Sequence, residues 1–544
     1  MNKKPAIKLI FALMLLVALT FAAGCGGGGG GGGASSGTDY EPTSVLAPNT
    51  LSTLAVDGAF YGHTDTAANV SIKIPVSSEE VRFALTVTNT SNASQAIALK
   101  PESYVTNSYA ASVKPAVIAS ARPLSAIEEA RARQLPTELR LREIFLDNMR
   151  RNAGNIRASR SLRASNHSGE QEGDLVDLWI LADSNAYNYA TRTCRLEKIT
   201  SHAKFFVDQN PYLGLSAVTD VYQVTAANIE HFATEFETHI YSLLKDGYGD
   251  IYDIDNDGRV SLVISPVYTQ MGYAGLFNPY HLDPSNPAKS NQRDMVGLWS
   301  PYDGTSGDKW LTDTRETIAH ELQHLTNFSA KVYPGGVVRT GDYNSFLETM
   351  WLDESLSVGV EARYRLLRGD SAGSDARFTS WAEDPTSVAM TDFSYDMFAP
   401  VFQHYGQKGL FNLYLFEQYG AAKIRQLVQS QQTGIANLEA VYGMTLAALL
   451  KNWSIAVTNE SLRYAGLIDV TGIDSRYKYT HQLALPLAYR AADYGTSVDD
   501  ITLAPYATSY YVIKQPAGFG ASEYQFRIES KEGHYIDISM MRLP

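Results

Sequence analysis

The sequence predicts an α+β protein in which a central domain of strands and helices is flanked by β-rich regions at both ends. Residues 46–120 and 466–544 consist of short runs in which apolar and polar side chains alternate, which is typical of half-buried strands. Residues 174–465 instead combine apolar runs with longer stretches of helical period. We therefore predict a central domain at 174–465, an amino-terminal β-rich domain at 46–120 and a carboxyl-terminal β-rich region at 466–544.

The amino-terminal segment is typical of a bacterial export signal. Three lysines precede an apolar run from Leu9 to Ala23, which is shorter than the roughly 18 residues of a membrane-spanning helix. The run ends in Ala-Ala-Gly-Cys at Cys25, which resembles a lipobox. We predict a signal peptide at 1–24, lipidation of Cys25 and a flexible glycine-rich tether at 25–45. The expected location is the bacterial cell envelope or cell surface, with the membrane as partner through the lipid; an ordinary secreted chain with a low-complexity linker is the alternative.

A basic segment at 121–173 separates the first β-rich domain from the central domain. It holds ten arginines between Ala121 and Arg163, and its middle, from Glu138 to Arg151, has a helical pattern. A solvated helix followed by a loop is the simplest interpretation. The alternatives are a segment that lies across the acidic central domain and a connector that is cleaved.

Charge and cysteine content narrow the classes of partner and compartment. The formal net charge is −13, which argues against nucleic-acid binding and suits a protein outside the cell. The chain has two cysteines, so lipidation of Cys25 would leave Cys194 alone and no internal disulfide could form. Core burial must then stabilise the fold.

Within the central domain, apolar runs predict strands at Leu175–Leu181, His202–Val207 and Val260–Ile264. Later stretches of apolar period predict helices at Phe411–Tyr419 and Leu438–Trp453. This mixture of elements distinguishes the central domain from the two alternating regions.

The most informative stretch contains His-Glu-x-x-His at His320, Glu321 and His324. Residues four apart share a helix face, so both histidines can bind one metal ion while Glu321 reaches a water that the metal activates. This spacing is typical of zinc-dependent peptide hydrolysis. We predict zinc as the cofactor, His320 and His324 as ligands and Glu321 as the general base; a buried helix with two satisfied histidines is the structural alternative.

The residues around this motif predict that it lies on a helix. Asp313 and Glu316 have the spacing of a capping box. Apolar residues then follow with helical period and would hold the helix against a core: Ile318, Leu322, Leu325 and Phe328.

A catalytic zinc site takes three protein ligands, so a third must come from elsewhere in the chain. The metzincin pattern is excluded, because Asn327 and Ala330 occupy the positions where it requires glycine and histidine. A following helical segment offers Glu348, Asp353 and Glu354. Glu354 shares a face with apolar residues, where an acid is costly unless it is paired or bound to metal. We predict Glu354 as the third ligand, Glu348 as the weaker candidate, and Asp353 as either solvated or a support to the ligands.

The two motifs together resemble the gluzincin arrangement, in which a second helix with the motif Trp-Leu-Asn-Glu-Gly supplies a glutamate ligand. Here the second motif is Trp-Leu-Asp-Glu-Ser at 351–355. The chain resembles most the hyicolysin-like family of secreted neutral metallopeptidases, and short segments at Ala190–Arg195, Asp253–Gly258 and Ser290–Met295 agree with it. The resemblance covers roughly residues 175–425 and implies a gluzincin-like catalytic domain, a sheet with zinc-binding helices. Asp353 and Ser355 depart from the usual asparagine and glycine.

An aspartate-rich loop precedes the metal motif. Asp253, Asp255 and Asp257 occupy positions one, three and five, and Gly258 occupies position six, as in a calcium loop. Position twelve is Ile264, where an EF-hand has glutamate, so the loop is not an EF-hand. Calcium bound by the three aspartates and a plain aspartate-rich turn both fit the pattern.

Members of the resembled family usually gain a second donor downstream that stabilises the oxyanion of the reaction. Tyr395 is our first candidate for this role, and His404 and Tyr405 are the others. Each can equally be a packing residue.

The functional prediction is an exported, surface-tethered zinc endopeptidase whose partner is a protein or peptide substrate. Zinc aminopeptidases with a similar motif carry Gly-x-Met-Glu-Asn upstream to bind the substrate amino terminus, and this sequence has none. A zinc aminopeptidase is therefore the weaker alternative. The other alternative is a surface-binding protein that keeps a metallopeptidase-like scaffold, but such a protein is expected to lose the base or a ligand.

Overall fold

The structure is a computed structural model that describes residues 43–46, 59–60, 69–75, 80–103, 167–183, 188–218, 223–283, 289–301, 308–336, 339, 345–370, 375–393, 401–493, 497–515 and 523–543. The predicted signal peptide, Cys25, Tyr395 and most of the basic segment lie outside these residues.

The elements are numbered in chain order. The strands are β1 (Thr43–Leu46), β2 (Ala59–Phe60), β3 (Asn69–Pro75), β4 (Val81–Asn89), β5 (Gln95–Ser103), β6 (Leu175–Asp183), β7 (Asn188–Ile199), β8 (Ala203–Asp208), β9 (Val260–Ser265), β10 (Gly275–Phe277), β11 (Met295–Trp299), β12 (Arg490–Asp493), β13 (Val498–Leu503), β14 (Thr508–Gln515), β15 (Glu523–Ser530) and β16 (Ile536–Leu543). The α-helices are α1 (Ala226–Glu235), α2 (Tyr241–Gly247), α3 (Pro266–Met271), α4 (Asp308–Val332), α5 (Met350–Leu367), α6 (Ala376–Glu383), α7 (Val401–Tyr419), α8 (Ala421–Gln429), α9 (Gly434–Tyr442) and α10 (Leu446–Tyr464).

A mixed sheet with strand order β10-β11-β9-β8-β7-β6 underlies the central domain. Strand β9 pairs in parallel with both β8 and β11, and the other neighbours are antiparallel. Every residue of β8, β9 and β11 is buried, which explains their continuous apolar runs. The three strands predicted from the sequence are confirmed, and the α+β class of the chain is confirmed with them.

The long helix α4 packs against this sheet and carries the His-Glu-x-x-His motif. Its predicted apolar stripe is buried, as the sequence indicates. The predicted capping box is wrong, because the helix begins at Asp308 and Asp313 lies inside it. There Asp313 accepts a hydrogen bond of 2.6 Å from Lys309, one turn earlier.

Helix α5 packs against α4, which precedes it in the chain, and against α7, which follows it. The helix predicted at Phe411–Tyr419 is confirmed as the last part of α7. The single helix predicted at Leu438–Trp453 is wrong, because α9 ends at Gly443, whose φ of 69° is left-handed, and α10 starts again after the cap residue Thr445. No single described helix has the length and apolarity of a membrane span, although α9 and α10, bent by 76°, meet those criteria as a pair.

The two β-rich regions of the sequence pair with one another. The sheet orders are β1-β3-β15-β5-β13 and β12-β14-β4-β16-β2, so each sheet contains strands from both ends of the chain. Side chains from the two sheets share one buried core, which includes Ile72, Phe83 and Ile528. The β-rich character is as predicted, but the regions form one pair of sheets, which contacts the central domain where Leu462 of α10 meets Met541.

Candidate metal centre

Helices α4 and α5 bring three metal-binding side chains to one point. His320 and His324 lie one turn apart on α4, and their Nε2 atoms are 3.1 Å apart. Glu354 of α5 approaches both, with its Oε2 3.6 Å from His320 Nε2 and its Oε1 3.7 Å from His324 Nε2. The side chains of all three are at most 3% exposed. The structure thus brings together the three residues predicted as ligands.

These separations fit a zinc ion. Tetrahedral zinc with nitrogen and oxygen ligands at about 2.1 Å holds neighbouring ligand atoms about 3.4 Å apart. The three observed distances, 3.1, 3.6 and 3.7 Å, bracket that value. Two imidazoles and one carboxylate are also the donor set of catalytic zinc sites that keep one position open.

Each histidine is oriented by a carboxylate on α5. His320 Nδ1 lies 2.5 Å from Glu361 Oε1, and His324 Nδ1 lies 2.9 Å from Asp353 Oδ2. A hydrogen bond at Nδ1 fixes the proton there and leaves Nε2 as the metal-binding atom. Asp353 is fully buried, so the solvated alternative is wrong and the supporting one agrees with the geometry. Asn327 also donates to Asp353, at 2.5 Å.

A buried chain of charges extends from Glu361 away from the metal point. Arg377 donates to Glu361 at 2.7 Å and to Asp375 at 2.6 Å. Arg365 joins Asp375 to Glu316, each at 2.6 Å. Burial alone would raise the pKa of Asp375, but the adjacent Arg377 and Arg365 hold it well below its usual range. Arg377 thus links Glu361, which contacts His320, to Asp375 in a chain of alternating charges.

Glu321 lies beside the metal point and is held by the edge strand of the sheet. Its Oε2 accepts a hydrogen bond of 2.8 Å from the backbone N–H of Phe277 in β10, and the residue is 1% exposed. Gly275 makes this close approach of α4 to β10 feasible. A Cβ at Gly275 would lie 2.7 Å from Glu321 Cγ and 2.5 Å from Thr317 Cγ2, both closer than side chains pack.

Glu348, the weaker ligand candidate, is engaged elsewhere. Its Oε1 accepts a hydrogen bond of 2.6 Å from the N–H of Gly434, and its Oε2 accepts one of 2.9 Å from Asn437. Lys331 lies 3.3 Å from the same carboxylate. Glu348 thus ties α4 to the start of α9.

The described oxyanion candidates pack around Phe393. The ring of His404 stacks on Phe393 at 5.4 Å, and Tyr405 meets it edge-on at 5.0 Å. Burial, together with Lys408 at 3.1 Å, lowers the pKa of His404 to about 2. His404 is therefore a neutral, buried ring. These contacts indicate packing for both residues.

The aspartates of the loop also converge. One carboxylate oxygen from each of Asp253, Asp255 and Asp257 lies within 4.8 Å of the other two. Burial raises the pKa of Asp255, and the neighbouring charge of Asp257 raises it further. Lys204 lies 2.5 Å from Asp257 Oδ2.

Sequence reasoning missed Glu361, Arg377 and the contact of Glu321 with β10. A signal for Glu361 was present, because it follows Glu354 by seven residues, or two helical turns, and so shares its face. No local pattern marks Arg377, whose partner lies on another helix.

Comparison with known proteins gives limited similarity. No protein-family profile matches the chain. The neutral metalloprotease ShpI of Staphylococcus hyicus is 24% identical over 152 residues, which are 27% of this chain and 33% of that protein. The chain therefore aligns with about a third of the length of this relative. This similarity supports a relation to metallopeptidases in general. It does not establish the predicted hyicolysin-like family.

Two crystal structures of an M1 zinc metallopeptidase from Deinococcus radiodurans, a point mutant and the unmutated enzyme, are among the similar folds. They superpose with TM-scores of 0.28 and 0.26 at 13% identity, over 51% of this chain and 52% and 50% of theirs. TM-scores this low carry no conclusion about this chain.

Proposed function

We propose that this protein is a zinc-dependent endopeptidase that cleaves protein or peptide substrates. The observation that carries the proposal is the convergence of His320, His324 and Glu354 beside Glu321, at distances that fit one zinc ion. The sequence similarity to a neutral metalloprotease supports the same chemistry.

His320, His324 and Glu354 would hold the zinc ion. When bound, zinc acts as a Lewis acid that polarises a peptide carbonyl and makes water more acidic. Glu321 takes the proton from the attacking water and delivers it to the leaving amine. The N–H of Phe277 fixes one oxygen of Glu321 at 2.8 Å and thereby holds the carboxylate in position for this transfer.

The test of this proposal is hydrolysis of casein by the purified protein. Glu321→Gln keeps the size of the side chain but cannot accept a proton, so we expect zinc content and folding to persist while activity falls by about 100-fold or more. Glu230→Gln is the matched control, because Glu230 is exposed and its contact is Lys198, at 3.0 Å. Substantial hydrolysis by Glu321→Gln would contradict the role of Glu321. Full zinc occupancy without hydrolysis by the unmodified protein would favour the surface-binding alternative.

An endopeptidase is favoured over an aminopeptidase because the chain has no Gly-x-Met-Glu-Asn segment. The two activities are separated by a quenched fluorescent peptide with a blocked amino terminus and an aminoacyl chromogenic amide. We expect cleavage of the blocked peptide. Cleavage of the amide alone would establish the aminopeptidase.

We further propose that the enzyme is exported and tethered to the cell envelope through lipid on Cys25. Support comes from the apolar segment that ends before Cys25 and from the glycine run that follows it. Cys25→Ser should move the active enzyme from the membrane fraction to the soluble fraction, whereas Cys194→Ala, at the other cysteine, should leave it with the membranes. Membrane association of Cys25→Ser equal to that of the parent would exclude the tether.

A further inference from the structure

We propose that Asp253, Asp255, Asp257 and Asp294 form a calcium site that clamps the aspartate loop to the central sheet. The site is separate from the proposed zinc centre and does not depend on the proposed peptidase function. Its fourth member, Asp294, immediately precedes β11 and is not part of the loop motif.

The geometry of the loop suits a cation of calcium's size. Calcium takes oxygen ligands at about 2.3–2.6 Å, so two oxygens on one ion are at most about 5 Å apart. One carboxylate oxygen from each of the three loop aspartates lies within 4.8 Å of the other two, inside that limit. The loop is held in shape by its own backbone, because the N–H groups of Asp257 and Gly258 donate to Asp253 at 3.1 and 2.9 Å.

Asp294 is the independent observation that points to a ligand. It is 2% exposed, and its Oδ1 has no hydrogen-bond partner among the described residues; the same holds for Oδ2 of Asp255, which is also 2% exposed. Asp294 and Asp253 line a common cavity of about 170 Å³ together with the exposed residues Asp250 and Lys245. A buried carboxylate oxygen without a donor is costly, and a cation entering through this cavity would satisfy it.

The charged side chains around the site favour a bound cation. Besides the four aspartates, the surroundings include Glu170. Lys204 lies between Glu170 and Asp257, 3.0 Å from the first and 2.5 Å from the second. Arg293 donates to Glu170 at 3.0 Å, and Arg259 donates to the backbone carbonyl of Asp257 at 3.0 Å. The acidic side chains around the site thus outnumber the basic ones, which favours a bound cation.

The position of the site explains what the cation would do. The loop leads into β9, and the N–H of Ser261 in β9 donates to the carbonyl of Asp294 at 2.8 Å. A cation shared by the loop and Asp294 would join the starts of the parallel strands β9 and β11. Because such a cation binds the folded state alone, it adds stability.

The experiment uses the full protein, stripped of metals, reloaded with one equivalent of zinc and titrated with calcium chloride by calorimetry. We expect one calcium per chain, and a melting temperature about 3 °C higher at a hundredfold excess over Kd. Asp294→Asn should weaken calcium binding at least tenfold. The matched control is Asp250→Asn, at an exposed acid that lines the same cavity, and this variant should bind calcium as the parent does.

The melting temperature without calcium separates a ligand from a merely structural residue. Asp294→Asn removes one of several neighbouring negative charges, so without calcium it should melt no lower than the parent. A variant that melts lower with and without calcium would overturn the proposal. So would a parent that binds no calcium, or equal binding by Asp294→Asn and the parent.

Discussion

Glu361→Gln should weaken zinc binding although Glu361 is not a ligand. The carboxylate lies 2.5 Å from His320 Nδ1, and both groups are buried. Glutamine can still accept a hydrogen bond from Nδ1, but it lacks the charge that makes the imidazole a better donor to a metal. Loss of such an orienting group costs about 10- to 100-fold in metal affinity. That range corresponds to about 1.4–2.7 kcal/mol of binding free energy.

The assay is competition for zinc with a chromophoric chelator, and the matched variant is Glu316→Gln. Glu316 is the far end of the same buried charge chain and contacts Arg365 at 2.6 Å, so its substitution also removes one negative charge from the chain. We expect Glu316→Gln to change thermal stability with nearly parental zinc affinity. If Glu361→Gln binds zinc as tightly as the parent, or if both variants lose affinity equally, the orienting role of Glu361 is refuted.

The other predictions concern the ligand choice, the base and the pH dependence of folding. Glu354→Ala should remove most of the bound zinc. Glu348→Ala should lower the melting temperature but keep the zinc, since Glu348 accepts hydrogen bonds from Gly434 and Asn437. Equal zinc contents of the two variants, measured by mass spectrometry, would reject Glu354 as the third ligand. Gly275→Ala should reduce kcat by about tenfold at saturating zinc. The added Cβ would lie 2.7 Å from Glu321 Cγ and so displace this side chain, and small misplacements of a reacting group are costly. An unchanged kcat would contradict this role of Gly275. Burial lowers the pKa of His281 to about 3, below the value of about 6.5 in the unfolded chain, so the unfolded state binds more protons between these values. The contribution of His281 to the free energy of unfolding should therefore fall by about 1.4 kcal/mol per pH unit as the pH drops below about 6.5. In His281→Gln, the free energy of unfolding, measured with denaturant, should depend on pH less steeply by that amount.

The candidate site was predictable where the chemistry depends on local helix geometry. His320 and His324 are four residues apart on one helix, so their convergence follows from sequence spacing alone. Glu354 was identifiable because an acid among apolar neighbours at helical spacing needs a partner, and the structure places it 3.6 Å from His320. The neighbour Asp353 is equally buried on the same helix, and periodicity did not fix whether it faced solvent.

Features that depend on long-range pairing were not predictable in the same way. Strand β4 lies between β14 and β16, more than 400 residues later in the chain, and alternation of side chains gives no information on such partners. The start of α4 was misplaced for a related reason. Trp310 is fully buried, and its packing extends the helix one turn before the Asp313–Glu316 pattern that resembles a cap. The break at Gly443, by contrast, had a local signal in the glycine itself.

Helix α5 supplies three residues of the metal centre, although only one of them is a predicted ligand. It supplies Glu354, and it also supplies Asp353 and Glu361, which orient the two histidines of α4. The position of α5 is in turn set by α7. Gly359 of α5 packs so closely against Asn412 of α7 that no Cβ would fit between them. The carbonyl of Lys408 in α7 accepts a hydrogen bond of 2.9 Å from Ser355 of α5. A shift of α5 along α4 would therefore move one ligand and both orienting carboxylates together. The metal affinity of this site thus depends on the packing of α5 against α7, at Gly359 and Asn412.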